Sequence, residues 1–166
     1  LALNDVFIGE TDSAKVSYYD ISVDGGPFVR QKSSGIVVCT GSGSSAWYTS
    51  INRVLPCQMA DVLSALRGLG VSVPEEESLS ERLASSINEN IGEAPDSPDL
   101  MFAVREAIFN KTFPISPVKG KARKITLKSR CSDACLVLDG SRKIHWDYGS
   151  TVTLEIEPRF ALNTLF

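Results

Sequence analysis

The chain has little excess charge, few cysteines and one histidine, and each shortage removes a class of function. A formal net charge of -3 argues against a surface built to attract nucleic acid, because that binding draws on many Lys and Arg contacts to phosphate. No apolar run reaches the ~20 residues that cross a bilayer, so no membrane span is expected. The four cysteines, Cys39, Cys57, Cys131 and Cys135, are too sparse for a disulfide scaffold and lack the CxxC pairing of a structural zinc site. They are expected to be reduced and packed as small hydrophobes, and Cys131 and Cys135 would share a face on a continuous strand. His145, beside Trp146 in a hairpin strand, is expected to be a packed or surface residue, not a general base. There is no internal repeat and no starting Met. "LALNDVFI" opens directly in strand-like sequence, from which the chain is expected to begin inside a larger protein.

What is present suits one soluble globular domain. At 166 residues with 43% hydrophobic and 22% charged content, a chain can bury roughly 70% of its unfolded surface. Strands are expected over Leu1 to Ile8, Val16 to Val23 and Phe28 to Lys32, with "DGG" between the last two as a tight turn. "IVVC" reads as a strand covered on both faces. From Pro56 the period changes: Met59, Val62, Leu63 and Leu66 mark an amphipathic helix stopped by Gly68. A second helix follows "PEEES", with Ser78 and Glu81 as a capping box and Leu79, Leu83, Ile87 and Ile91 as its apolar stripe.

"GEAPDSPD" is then an exposed connection, strands resume near Met101, and "PISPVKGKARK" reads as a basic loop. Its Lys119, Lys121, Arg123 and Lys124 are expected to be solvated, with steering of an anionic nucleotide as the sharper alternative. Ile125 and Leu127 alternate with polar residues, "VLDGSRKIHW" turns at Asp139 and Gly140, and Val152, Leu154 and Ile156 form a last half-buried strand. Asp24 and Asp139 precede glycines in turns and are expected to serve the backbone alone. The fold class expected is mainly β, an α+β sandwich interrupted by two helices.

Two stretches carry possible chemistry. In "TGSGSSAWYTS", Gly41 and Gly43 lack Cβ atoms, which would let a ligand approach the main chain and makes positive φ inexpensive. Ser42, Ser44 and Ser45 add hydroxyls, and Trp47 and Tyr48 offer flat faces. A helix starting near Ala46 would add free N–H groups. By composition alone a plain Gly/Ser connection fits first. The stretch is no Walker motif, lacking the Lys, and no GxGxxG fingerprint. In "ALND", Asn4 and Asp5 place an amide and a carboxylate at a strand start, a pair able to hold ribose hydroxyls or simply a polar strand end.

Together, "LALNDVFIGE", "ISVDGGPF", "SSGIVVCTGSGSSAWYTSINR" and "CLVLDGS" resemble, in order, the carboxyl-terminal domain of the NAD kinases, most closely the mitochondrial type. The resemblance implies an NAD kinase C-terminal-like β-sandwich and a phosphotransferase that moves the ATP γ-phosphate to the 2'-hydroxyl of NAD, giving NADP. It implies a two-domain enzyme whose amino-terminal α/β domain carries a Gly-Gly-Asp-Gly-Thr motif. No such motif occurs in this sequence, so no catalytic residue is assigned in it. By the same resemblance, Asn4 and Asp5 contact ribose hydroxyls, with Asp5 where the family more often has Glu. Ser42, Ser45, Ala46 and Trp47 align with loop positions that hold adenine and ribose through backbone and hydroxyl groups, and Ser50 lies one turn further on. Ser34 stands where many members have an acidic residue on the nicotinamide side, and Gly41 where many have Pro. Also implied are Mg²⁺ accompanying ATP, no metal or tightly bound cofactor on this chain, a homodimer, and the mitochondrial matrix. The other class is a non-catalytic β-sandwich module for ligand binding or dimerisation.

Overall fold

The computed structural model describes residues 1–161. The chain forms two antiparallel sheets face to face. Strands β1 (Asp5–Glu10), β4 (Ile36–Cys39), β5 (Leu100–Val104), β6 (Lys119–Ala122), β8 (Ala134–Leu138) and β9 (Arg142–Trp146) make a six-stranded sheet in the order β6-β5-β4-β1-β8-β9. The second sheet is β10-β7-β2-β3, from β2 (Ser17–Val23), β3 (Val29–Ser33), β7 (Lys124–Ser129) and β10 (Thr151–Glu155). A short helix α1 (Trp47–Asn52) and the helices α2 (Pro56–Gly68) and α3 (Leu79–Asn88) are inserted between β4 and β5. None of these helices is long and apolar enough to cross a membrane.

Alternation builds the core. Val6 and Ile8 of β1, Ile36 and Val38 of β4, Phe102 of β5 and Leu136 of β8 point one way, and Tyr19, Ile21, Ile125 and Leu127 of the second sheet meet them. The opposite face of the six-stranded sheet is also covered in part: Cys39, Met101 and Ala103 pack under Tyr48, with Ile51 and Ile91 at the margin. That double cover explains why "IVVC" is an unbroken apolar run, since all four of its residues are buried.

Several expectations need correcting. The first strand begins at Asp5, not Leu1, because the N–H groups of Leu3 and Asn4 bond a side chain instead of a neighbouring strand. The basic loop contains an edge strand, β6, whose Gly120 lies under the Phe102 ring; exposed lysines on an edge strand discourage pairing with another chain. Three of its four basic side chains are paired while staying exposed, Lys121 with Glu93, Arg123 with Asp99 at 2.6 Å and Lys124 with Glu155 at 3.3 Å.

The helices are peripheral. α2 and α3 pack on each other, and each buries a single residue fully, Leu63 and Ala84. Val62 and Ile87, expected in apolar stripes, are exposed. At the start of α3 no capping box forms: the Ser78 hydroxyl donates to Glu76, which also accepts two bonds from Arg82. Cys57 is exposed, unlike the other three cysteines. Cys131 precedes β8 and joins the inter-sheet core, whereas Cys135 faces the other side of the sheet, so the two share no face.

Gly35 sits at the turn between β3 and β4 with φ +103°, and a Cβ there would lie 2.6 Å from the Phe7 ring. Gly35→Ala should therefore lower stability by at least about 2 kcal/mol in a urea titration, combining backbone strain with overpacking. Gly68→Ala, at a helix end where a Cβ meets nothing, should raise it by up to about 1 kcal/mol.

Candidate functional site

The start of β1 is held from two sides. On one side is the β8–β9 turn, where Asp139 and Gly140 adopt φ +47° and +64°, the left-handed pair that a tight hairpin requires. This turn aims the Asp139 carboxylate at the chain entering β1. It accepts N–H bonds from Leu3 (2.7 Å), Asn4 (2.7 Å) and Asp5 (3.1 Å), and the Asp139 N–H donates to the Asp5 carbonyl at 2.9 Å. On the other side lies the Gly/Ser bend. The Thr40 N–H donates to the Asn4 carbonyl and the Thr40 hydroxyl to the Leu3 carbonyl, both at 2.9 Å. A Cβ on Gly43 would lie 2.1 Å from the Asn4 carbonyl oxygen, and one on Gly41 2.0 Å from the Ala94 carbonyl oxygen.

The glycines therefore serve chain-to-chain contact, not the approach of a ligand as the sequence suggested. Positive φ is not their reason either, since neither is among the residues that adopt it. Their close packing brings the bend against Asn4 and turns its other side outward. Gly41, Gly43 and Ser44 are buried, while Ser42, Ser45, Ala46, Trp47 and Ser50 are exposed. The Ser44 hydroxyl is used internally, donating to the Gly41 carbonyl at 2.7 Å and accepting from the Glu93 N–H at 2.9 Å. Tyr48, expected to offer a flat face, is instead in the core. The 3-10 turn Ser42–Ser45 bends into α1 at Ala46, with φ -103° and ψ -103°. Ser50 lies one helical turn on, its N–H donating to the Ala46 carbonyl.

Trp47 does present a ring, stacked on Phe7 with centroids 5.5 Å apart and planes 23° from parallel. The Arg105 guanidinium lies 5.7 Å from the Trp47 ring centre and 6.0 Å from that of Phe7. Phe7 in turn lies over Gly9 and Gly35, where Cβ atoms would meet its ring at 2.9 and 2.6 Å.

Electrostatics separate the two neighbouring carboxyls. Partial burial and then the Asp139 charge raise the Asp5 pKa above the usual carboxylate value. Burial also acts against the Asp139 charge, but the three N–H donors outweigh it and lower that pKa. Among the described residues no three His, Cys, Asp or Glu side chains gather into a set able to hold a metal ion. His145 is exposed and bonds Asp147 at 2.8 Å, away from this site.

The comparisons with known proteins fall on this geometry. No family model matches the chain. The rat protein named NAD kinase 2, mitochondrial, is 41% identical over 165 residues, which is 99% of this chain and 39% of that protein. The chain matches the carboxyl-terminal part of a mitochondrial NAD kinase. It thus spans about two fifths of the relative's length. Two solved NAD kinase-type structures share the fold. Yeast NADH kinase complexed with NADH has a TM-score of 0.57 at 19% identity, covering 92% of this chain and 33% of that one. An NAD kinase from Archaeoglobus fulgidus in complex with ATP has a TM-score of 0.56 at 20% identity, covering 95% of this chain and 46% of that one. The fold expectation, a mainly β NAD kinase-like sandwich with inserted helices, is met.

Sequence reasoning placed Asn4, Asp5 and the bend together but missed Thr40 and Asp139, which hold them so. The Asp-Gly dipeptide announced a turn, and nothing local announced the strand it would clasp. Asp139→Ala should cost about 1–2 kcal/mol in a denaturant titration by orphaning N–H donors, and Asp139→Asn less. A carboxylate with a lowered folded-state pKa adds stability above its unfolded-state value and loses it as pH falls through the folded-state value. The difference between wild type and Asp139→Asn should therefore be largest at neutral pH and shrink in acid.

Proposed function

We propose that this chain is the NAD-binding domain of an NAD kinase, which transfers the γ-phosphate of ATP to the 2'-hydroxyl of NAD and so forms NADP. The observation that carries the reading is 41% identity to a mitochondrial NAD kinase across 99% of the chain. The main-chain contact that holds Asn4 against the bend, whose residues Ser42, Ser45, Ala46, Trp47 and Ser50 are exposed, supports it.

The chemistry asked of this chain is positioning. A sugar hydroxyl attacks a phosphoryl group productively only when both are held in line by fixed groups. The Asn4 amide and Asp5 carboxylate hold the ribose hydroxyls. Asp5 is suited to accept an O–H bond, since its raised pKa makes it the stronger proton acceptor. Ser42 and Ser45 offer hydroxyls and Ala46 offers its backbone and small surface, while Trp47 gives the dinucleotide a flat face and Ser50 borders the same exposed side. The base and the ATP phosphate contacts belong to an amino-terminal α/β domain with a Gly-Gly-Asp-Gly-Thr motif. Mg²⁺ accompanies ATP as part of the phosphate donor, and among the described residues of this chain no three His, Cys, Asp or Glu side chains gather to hold a metal ion. A homodimer in the mitochondrial matrix completes the reading.

Ser45→Phe in the full-length protein should raise the dissociation constant for NAD by about tenfold or more, through steric exclusion from a site that is otherwise open, with little change for ATP. Calorimetric titration with each nucleotide checks this, and equal losses for both would show the bend to be misassigned. The purified chain alone, given ATP, Mg²⁺ and NAD, should form no NADP above background. Appreciable NADP would overturn the division of labour between the domains.

A further inference from the structure

Gly41 and Gly43 leave the bend, Thr40 to Ala46, with little stiffness of its own, because glycine loses more conformational freedom on folding than any other residue. Its shape therefore comes from what grips it. One grip is the entry to β1 at Asn4. The other is the connection from α3 to β5, residues 89–99. Gly41 has φ -54° and ψ -45°, helical values open to most residues. Glycine stands there for space: the Ala94 carbonyl occupies the place of its Cβ.

The bend and this connection are joined at Ser44. Its side chain is 1% exposed, and its hydroxyl donates to the Gly41 carbonyl at 2.7 Å while accepting from the Glu93 N–H at 2.9 Å. Among the described residues, Ser44 makes every hydrogen bond between the bend and the connection. The Ser44 carbonyl accepts from the Thr49 hydroxyl at 2.7 Å, which ties the same residue to α1. The connection is itself anchored on both sides of this contact. Before it, the Asn88 side chain exchanges bonds with the Val54 main chain at 2.8 and 2.9 Å, and Ile91 packs on Cys39, Tyr48 and Met101. The Glu93 carboxylate pairs with Lys121 of β6, and beyond it Asp99 pairs with Arg123.

We propose that Ser44 is a positioning residue for NAD: it touches no ligand, and through Glu93 it holds the bend in the shape that turns Ser45, Ala46 and Trp47 outward. The proposal rests on the reading of this chain as an NAD-binding domain. Ser42 and Ser45 differ from Ser44 in being exposed and in bonding only within the bend. Without the Ser44 hydroxyl, the Glu93 N–H and the Gly41 carbonyl lose a partner, and a glycine-rich segment is released into several conformers. Only a fraction of these fits NAD, and the apparent affinity falls by that fraction. The coupling is reciprocal: a connection that shapes the bend for NAD is in turn steadied by bound NAD.

The test uses the full-length protein. Ser44→Ala should raise the KM and the dissociation constant for NAD about five- to tenfold, as for a competent fraction of about one tenth to one fifth. It should leave kcat at saturating NAD within about twofold, because bound NAD restores the competent shape, and leave the KM for ATP unchanged. Ser44→Cys, which keeps a weaker hydrogen-bonding group, should fall between. In wild type, NAD should slow hydrogen exchange at the Glu93 amide, and Ser44→Ala should lose that protection. A lower melting temperature for Ser44→Ala with unchanged NAD affinity would reduce Ser44 to packing and overturn the proposal. So would a fall in kcat with KM unmoved, or wild-type exchange at Glu93 indifferent to NAD, a measurement that needs no variant to fold. Ser45→Phe is run in parallel. If it weakens NAD while Ser44→Ala does not, the positioning role falls and the dinucleotide reading stands; if neither affects NAD, both fall.

Discussion

The structure depends on how the first residues of β1 are fixed, and the Asp139 carboxylate does most of that work. Three consecutive main-chain N–H groups converge on its two oxygens. A strand start would ordinarily leave such donors to water and to chance. Here they are bonded by an anion whose own backbone is locked in a hairpin turn, and the strand inherits the rigidity of that hairpin. The Asn4 and Asp5 side chains consequently leave the strand in defined directions, which a pair of groups on a frayed end could not do.

The same device appears in the other sheet. Asp24, also left-handed at φ +50°, accepts from the N–H groups of Arg123 and Lys124 at 2.8 and 2.9 Å, and its own N–H donates to the Lys124 carbonyl. Each Asp-Gly hairpin thus clasps the start of a strand remote in sequence, one in each layer. Aspartate suits this because its short side chain tolerates the left-handed region and still reaches a neighbouring backbone. One buried aspartate held by two arginines adds to the second sheet, where Asp20 accepts from Arg30 at 2.9 Å and from Arg130 at 2.8 Å.

Small residues play a matching part on the outer face of the six-stranded sheet. Gly9 and Gly35 leave room for the Phe7 ring, the ring carries Trp47, and Arg105 lies against both. Gly43 leaves room for the Asn4 carbonyl. The missing Cβ atoms make space within the protein, and the surface open to a ligand is what remains on the far side of those contacts. This is how the chain's smallest and largest residues come to be neighbours: the former let the backbone close up, and the latter lie on the floor so formed.

Sequence by itself determined the strands with strict alternation, such as Thr151–Glu155, the hairpins marked by Asp-Gly, and the helix bounded by Pro56 and Gly68, because these signals are local. It also marked Asn4, Asp5 and the Gly/Ser bend as belonging to one pattern. Tertiary structure alone decided that Asp139 holds Asn4 in place across 135 residues, that Tyr48 turns inward while Trp47 turns outward, and that Glu106 stands beside Ser34. The first and last of these are contacts between strand ends far apart in the chain. No local period encodes such a contact, since its partners meet only when strands distant in sequence pair side by side in the six-stranded sheet.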